Sequence, residues 1–142
     1  MKKKLVSYIL YISLFVSSNS VSANDFRFAL VTDIHISQTT SAYEDLANSV
    51  HQINNRKGID FAIISGDITE NGDTESLTKA KIKLDSLFVK YYAISGNHET
   101  KWSKSAATAF AKIYGSENCK FEHQGILFLG FNTGPIIRMM DG

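Results

Sequence analysis

Three short motifs carry residue types that hold metal ions and move protons: Asp33-Ile34-His35, Gly66-Asp67 and Gly96-Asn97-His98-Glu99. Two carboxylates, two imidazoles and an amide oxygen gathered in one crevice would repel or stay unsatisfied unless cations sat between them. Oxygen and imidazole donors without thiolate suit Mn, Fe, Zn or similar divalent ions rather than a structural zinc knot. Asp33 and His35 stand two apart, so on an extended segment both reach one ion from the same side. Asp67 is centrally placed and could bridge two ions. Taken singly, a Gly-Asp or an Asp-x-His pair is ordinarily a turn or a strand-end hydrogen bond. Gly-Asn-His-Glu is more specific, arising by chance about once in 10⁵ positions at roughly 5% per residue type.

These motifs need elements to bring them together, because their residues from Asp33 to His98 span 66 positions. Phe26 to Thr32 is a mostly apolar run of strand length. Ser41-Ala42-Tyr43-Glu44 has capping-box spacing, and Tyr43, Leu46, Ala47, Val50 and Ile53 follow at helical intervals. Gly58 is placed to close that helix as a left-handed cap. A second strand is expected within Asp60 to Ser65. A helix from near Thr74 would set Leu77, Ala80, Leu84, Leu87 and Phe88 on one face. Tyr91 to Ser95 reads as a third strand. Ser103 or Ser105 opens another helix carrying Ala106, Ala107, Phe110, Ala111 and Ile113. Cys119 to His123 and Gly125 to Phe131 read as a hairpin joined at Gln124-Gly125.

A βαβαβ start of this kind predicts an α/β fold whose first three strands are parallel and covered on both faces. Each motif directly follows a strand, so all three fall at the carboxyl ends, where open α/β sheets put their sites.

The bulk figures are those of a soluble globular protein. The 142 residues are 44% apolar and 20% charged, which fits one globular domain and excludes disorder, collagen and coiled coil. A net charge of +1 gives no nucleic-acid-binding signal. Three of the cations, Lys2 to Lys4, precede an apolar run from Leu5 to Val16 and the small-residue triplet Val21-Ser22-Ala23. That pattern predicts a signal peptide over residues 1–23, cleaved before Asn24, and export to the periplasm or the extracellular space. The apolar run of 12 residues falls short of the roughly 20 needed to span a bilayer, so no stable membrane anchor is expected after cleavage. Without residues 1–23, 12 cations face 14 anions, a net charge of −2. The single cysteine, Cys119, excludes an internal disulfide framework and a Cys-rich metal site. Lys101-Trp102, just past the third motif, either lines a substrate pocket or packs on its own loop.

At these motifs the sequence resembles the calcineurin-like metallophosphoesterase family, from Phe26 to about Asn132. The resemblance implies the N-terminal half of an α/β/β/α sandwich, with a phosphate ester as substrate and two divalent metal ions as cofactors. It implies that Asp33 and His35 ligate the first metal, that Asp67 is shared by both, and that Asn97 ligates the second. His98 then stands beside the leaving-group oxygen, with Glu99 as the acid that orients it. The family's reaction is hydrolysis by a metal-held hydroxide. Its later motifs, a lone His and a Gly-His-x-His, are not among these residues. His51 reads as a solvated helix residue and His123 as a hairpin residue, so neither replaces the missing ligands. The domain of residues 24–142 is accordingly expected to continue beyond Gly142, and this length alone to be inactive. Glu70 stands where purple acid phosphatases have tyrosine, and His35 where they have glycine, which disfavours that subfamily. Three other readings stay open: a pyrophosphatase, a nuclease on the same scaffold, or a non-catalytic binding module that keeps the fold.

Overall fold

The computed structural model describes residues 25–37 and 41–132. The expected signal peptide, Pro135 and the C-terminal residues lie outside the described residues. The order of elements is β1 (Phe28–Val31), α1 (Ala42–Asn55), β2 (Phe61–Ser65), α2 (Thr74–Leu84) and β3 (Lys90–Ile94). There follow α3 (Asn97–Thr100), α4 (Thr108–Tyr114), β4 (Cys119–His123) and β5 (Ile126–Gly130). Strands β1, β2 and β3 form a parallel sheet in that order, with Phe28 opposite Phe61 and Phe61 opposite Lys90. Strands β4 and β5 form an antiparallel hairpin, turned at Gln124 and Gly125, both with positive φ. Among the described residues, no helix is long and apolar enough to cross a membrane.

The expected cover on both faces of the sheet takes a different form. Crossovers of one hand, stepping in one direction from β1 to β2 to β3, put every connecting helix on the same face. Leu46 and Val50 of α1, Leu77, Ala80 and Leu84 of α2, and Phe110 of α4 accordingly share one buried cluster. The strands contribute Val31, Ile64, Tyr91 and Ala93 to it, the alternate residues of each strand. The other face carries Phe28, Phe61 and Tyr92, and here the hairpin is the cover. Tyr92 stacks on Phe121 with ring centroids 3.4 Å apart, and Phe121 stacks in turn on Phe128 at 4.7 Å. Phe28 and Phe61 stack at 5.3 Å beside them. That cover is partial, since Leu30 on β1 stays exposed.

Local details depart from expectation where side chains found better partners. Ser41 does not close a capping box: its backbone is helical and its hydroxyl donates to Asp45 Oδ2 (3.2 Å). The N-cap with a side-chain bond is Asp73, whose Oδ1 accepts the Ser76 N–H (2.9 Å). Helix α1 ends at Asn55, and Gly58, with φ +80°, serves the turn into β2 instead of capping the helix. Helix α2 ends at Leu84, before Phe88, which is 85% exposed. The Asn54 amide sets that turn, accepting the Phe88 N–H and donating to the Ser86 carbonyl, both at 2.8 Å. Ala106 and Ala107 lie outside α4 with positive φ, because the Ala107 N–H reaches the Glu99 carbonyl (2.8 Å). Cys119 is a half-buried free thiol at the start of β4, pushed above its ordinary pKa by burial.

Phe110 is fully buried where α4 meets α2. Phe110→Ala should lower unfolding stability by about 3–5 kcal/mol, the usual cost of a buried aromatic. Phe88→Ala should change it by less than about 0.5 kcal/mol. Urea unfolding of both variants, read at constant m-value, checks the contrast.

Candidate metal centre

The segment leaving β1 runs on beside the segment leaving β2. Asp33 N–H donates to the Gly66 carbonyl (3.3 Å), His35 N–H to that of Asp67 (3.0 Å), and Ile36 N–H to that of Ile68 (2.9 Å). Ile36 and Ile68 are fully buried and Ile34 packs against the helical core, so apolar residues anchor the segments that carry Asp33, His35 and Asp67. Those three polar residues all adopt left-handed backbone, with φ of 54°, 53° and 49°. For residues with a Cβ this costs roughly 1–2 kcal/mol each and is found mainly where a site demands it.

The second and third strand ends touch through their glycines. A Cβ on Gly66 would lie 2.8 Å from Gly96 Cα, and one on Gly96 would collide with Asp67 Oδ1 and N. With that approach made, Asp67 Oδ1 accepts the His98 backbone N–H (3.0 Å). Asp33, Asp67 and Asn97 then line one crevice of about 440 Å³ at the carboxyl ends of the sheet. One ligand atom each from Asp33, His35 and Asp67 lies within 4.8 Å of the others, and so does a second trio, His35, Glu70 and His98. Two carboxylates and an imidazole at that spacing match the oxygen and nitrogen donors of a divalent cation. A larger groove of about 1080 Å³, lined by Phe26 to Ala29, His51 to Ile53, Asn55 and Arg56, lies at the opposite end of the strands. It holds none of the motif residues, so the smaller crevice is where the chemistry can occur.

Glu99 is placed differently from expectation. Its carboxylate is fully buried and points away from the His98 ring. Oε1 accepts the Thr69 N–H (2.9 Å) and hydroxyl (3.1 Å), and Oε2 accepts the Gly96 N–H (2.9 Å). The partner of His98 Nδ1 is instead the Glu70 carbonyl, at 2.6 Å. A carbonyl only accepts, so the His98 proton sits on Nδ1 and the lone pair of the neutral ring on Nε2. The physical reason is the short helix α3, which sends adjacent residues in different directions. His98 faces His35, ring centroids 4.5 Å apart and nearly perpendicular, while Glu99 turns inward.

Two site residues were not singled out by their types. Glu70 Oε2 meets His35 Nδ1 at 3.0 Å, and a carboxylate three residues past Asp67 was the signal available. Asn132 lines the crevice just past β5, its amide donating to Ser95 Oγ (2.8 Å). An amide directly after a strand was its only mark. Trp102 is 58% exposed, its ring 6.1 Å from that of His98, beside a neighbouring cavity of about 610 Å³. His51 lies on α1, paired with the Asn55 amide (3.0 Å), and His123 packs edge-on against Phe26 and Phe61. Neither is at the crevice.

Comparison with known proteins agrees with this geometry. The family model described as calcineurin-like phosphoesterase matches residues 26–139. A curated relative from Xenorhabdus bovienii, named "probable cyclic nucleotide phosphodiesterase", is 32% identical over 79 residues. The match covers 49% of this chain and 32% of the relative, so the chain spans about a third of the relative's length.

Glu99→Gln replaces one accepting oxygen by an NH₂ that faces an N–H donor. The variant should lose about 2–3 kcal/mol of unfolding stability, the cost of leaving buried donors unsatisfied. Its denaturant midpoint, set beside that of the surface variant Glu75→Gln, measures this.

Proposed function

Because this chain belongs to the calcineurin-like phosphoesterase family, we propose that it hydrolyses phosphate esters, monoesters or diesters, at a centre of two divalent cations. Asp33 and His35 are the ligands of one, Asp67 is shared, and Asn97 is a ligand of the other. The observation that carries this reading is the gathering of Asp33, His35 and Asp67 within 4.8 Å, with Asn97 in the same crevice. When bound, the metals supply Lewis acidity toward the phosphoryl oxygens and an activated water as nucleophile.

The chain's own residues do the rest. Asp33 is oriented by the Thr32 hydroxyl, which donates to its Oδ2 (2.6 Å). Asp67 is held by the His98 N–H, so ligand and acid move as one unit. His98 keeps its Nδ1–H on the Glu70 carbonyl and, in its imidazolium form, hands the Nε2 proton to the departing alkoxide, which returns the ring to the neutral Nδ1–H form. The relative's name places a cyclic nucleotide among the substrates to test. The protein acts after export, its N-terminus at Asn24.

Two substitutions separate these roles. Asp67→Asn should lower metal content and activity together. His98→Gln should keep the metals but slow alkyl phosphate esters by about 10²–10⁴, sparing aryl esters whose leaving group needs no proton. Metal analysis and turnover of both ester types on the complete protein decide it. Equal slowing of both, or metal loss in His98→Gln, would refute the acid role. A metal-loaded protein that hydrolyses neither type would favour a binding module.

Export has its own check. N-terminal sequencing of the exported protein should begin at Asn24, and a retained Met1 would overturn the signal-peptide reading.

A further inference from the structure

We propose that Glu70 is a positioning residue that sets both histidines of the site, through its side chain for His35 and its backbone for His98. The inference rests on the reading that His35 ligates a cation. Glu70 Oε2 lies 3.0 Å from His35 Nδ1, and a carboxylate opposite a ring nitrogen takes that nitrogen's proton as a hydrogen bond. The Nδ1–H tautomer is thereby selected, and the lone pair moves to Nε2. That nitrogen is 3.9 Å from Asp33 Oδ1, on the side where Asp33, His35 and Asp67 converge. Glu70 is thus the outer partner of a carboxylate–imidazole–cation arrangement, which fixes ring orientation and raises ligand basicity.

The backbone of the same residue does the equivalent for His98, whose Nδ1 is 2.6 Å from the Glu70 carbonyl. Both imidazoles therefore anchor Nδ1 on one residue and meet nearly perpendicular. Glu70 itself is held firmly. Its N–H donates to the Ile36 carbonyl (3.0 Å), tying it to the segment that carries His35. Its neighbour Thr69 is bonded to buried Glu99. A side chain about half exposed is in this way given a fixed base.

The test uses the complete protein, with zinc as the probe. Calorimetric titration should show Glu70→Ala binding its first zinc 10–100-fold more weakly than the unsubstituted protein. Glu70→Gln keeps an oxygen acceptor for Nδ1–H and should recover most of that affinity. Nitrogen NMR of the metal-free protein at about pH 8, above the usual imidazole range, reads the tautomers. His35 should move from Nδ1–H toward Nε2–H in Glu70→Ala, while His98 stays on Nδ1–H because its acceptor is backbone. Unchanged zinc affinity in Glu70→Ala would overturn the inference. So would equal weakening in Glu70→Gln and Glu70→Ala, which would make the carboxylate itself a ligand. So would a joint shift of both histidines, which would mean the loop had collapsed. None of these readouts needs turnover. A protein that binds zinc with this Glu70 dependence yet hydrolyses no ester upholds the inference and overturns the proposed activity.

Discussion

The buried carboxylate of Glu99 is the interaction on which the site depends. It accepts from Thr69 N–H, Thr69 hydroxyl and Gly96 N–H, so it ties the segment after β2 to the segment after β3. Burying a carboxylate is costly unless every lone pair finds a donor. Here the donors are two backbone amides and a hydroxyl whose own oxygen accepts the Gly72 N–H (2.9 Å). The two segments can supply them only when close together. Glycines at 66 and 96 permit that closeness, since a side chain on either would meet the other segment's backbone.

Once those segments are joined, the remaining geometry follows from what each is anchored to. Asp67 comes within reach of the His98 amide, and the Glu70 carbonyl comes within reach of its ring. The segment after β1 is added by backbone bonds to Gly66, Asp67 and Ile68, with Ile34 and Ile36 held in the helical core. The left-handed backbone at Asp33, His35 and Asp67 is unfavourable by itself. It persists because buried isoleucines and interstrand bonds on either side leave the chain no other path. Stability made in the core is thereby converted into fixed positions for Asp33, His35 and Asp67.

The sheet's two faces have different partners for a reason that also serves the site. Consecutive parallel strands place α1, α2 and α4 on one side, leaving the other to an aromatic stack with the β4–β5 hairpin. The same hairpin carries Phe131 and Asn132 to the crevice. Leu127 and Leu129 on β5 and Leu30 on β1 stay more than half exposed, an apolar surface larger than the hairpin covers.

The sequence by itself determined the order of strands and helices, because apolar runs of strand length and helical spacing are local properties. It also determined that Asp33, His35, Asp67, Asn97 and His98 fall at one sheet edge, since each follows a strand and parallel strands share their carboxyl ends. It did not determine which acid serves which histidine. Glu99 adjoins His98 in sequence yet faces the interior, while Glu70, 28 positions earlier, supplies the carbonyl that holds the ring. The ends of helices were equally undecided, as at Ser41 and Phe88, where Asp45 and Asn54 offered the nearer partner. Hydrogen bonds between segments distant in the chain depend on which side chains arrive within 3 Å. Only the packed tertiary structure decides that.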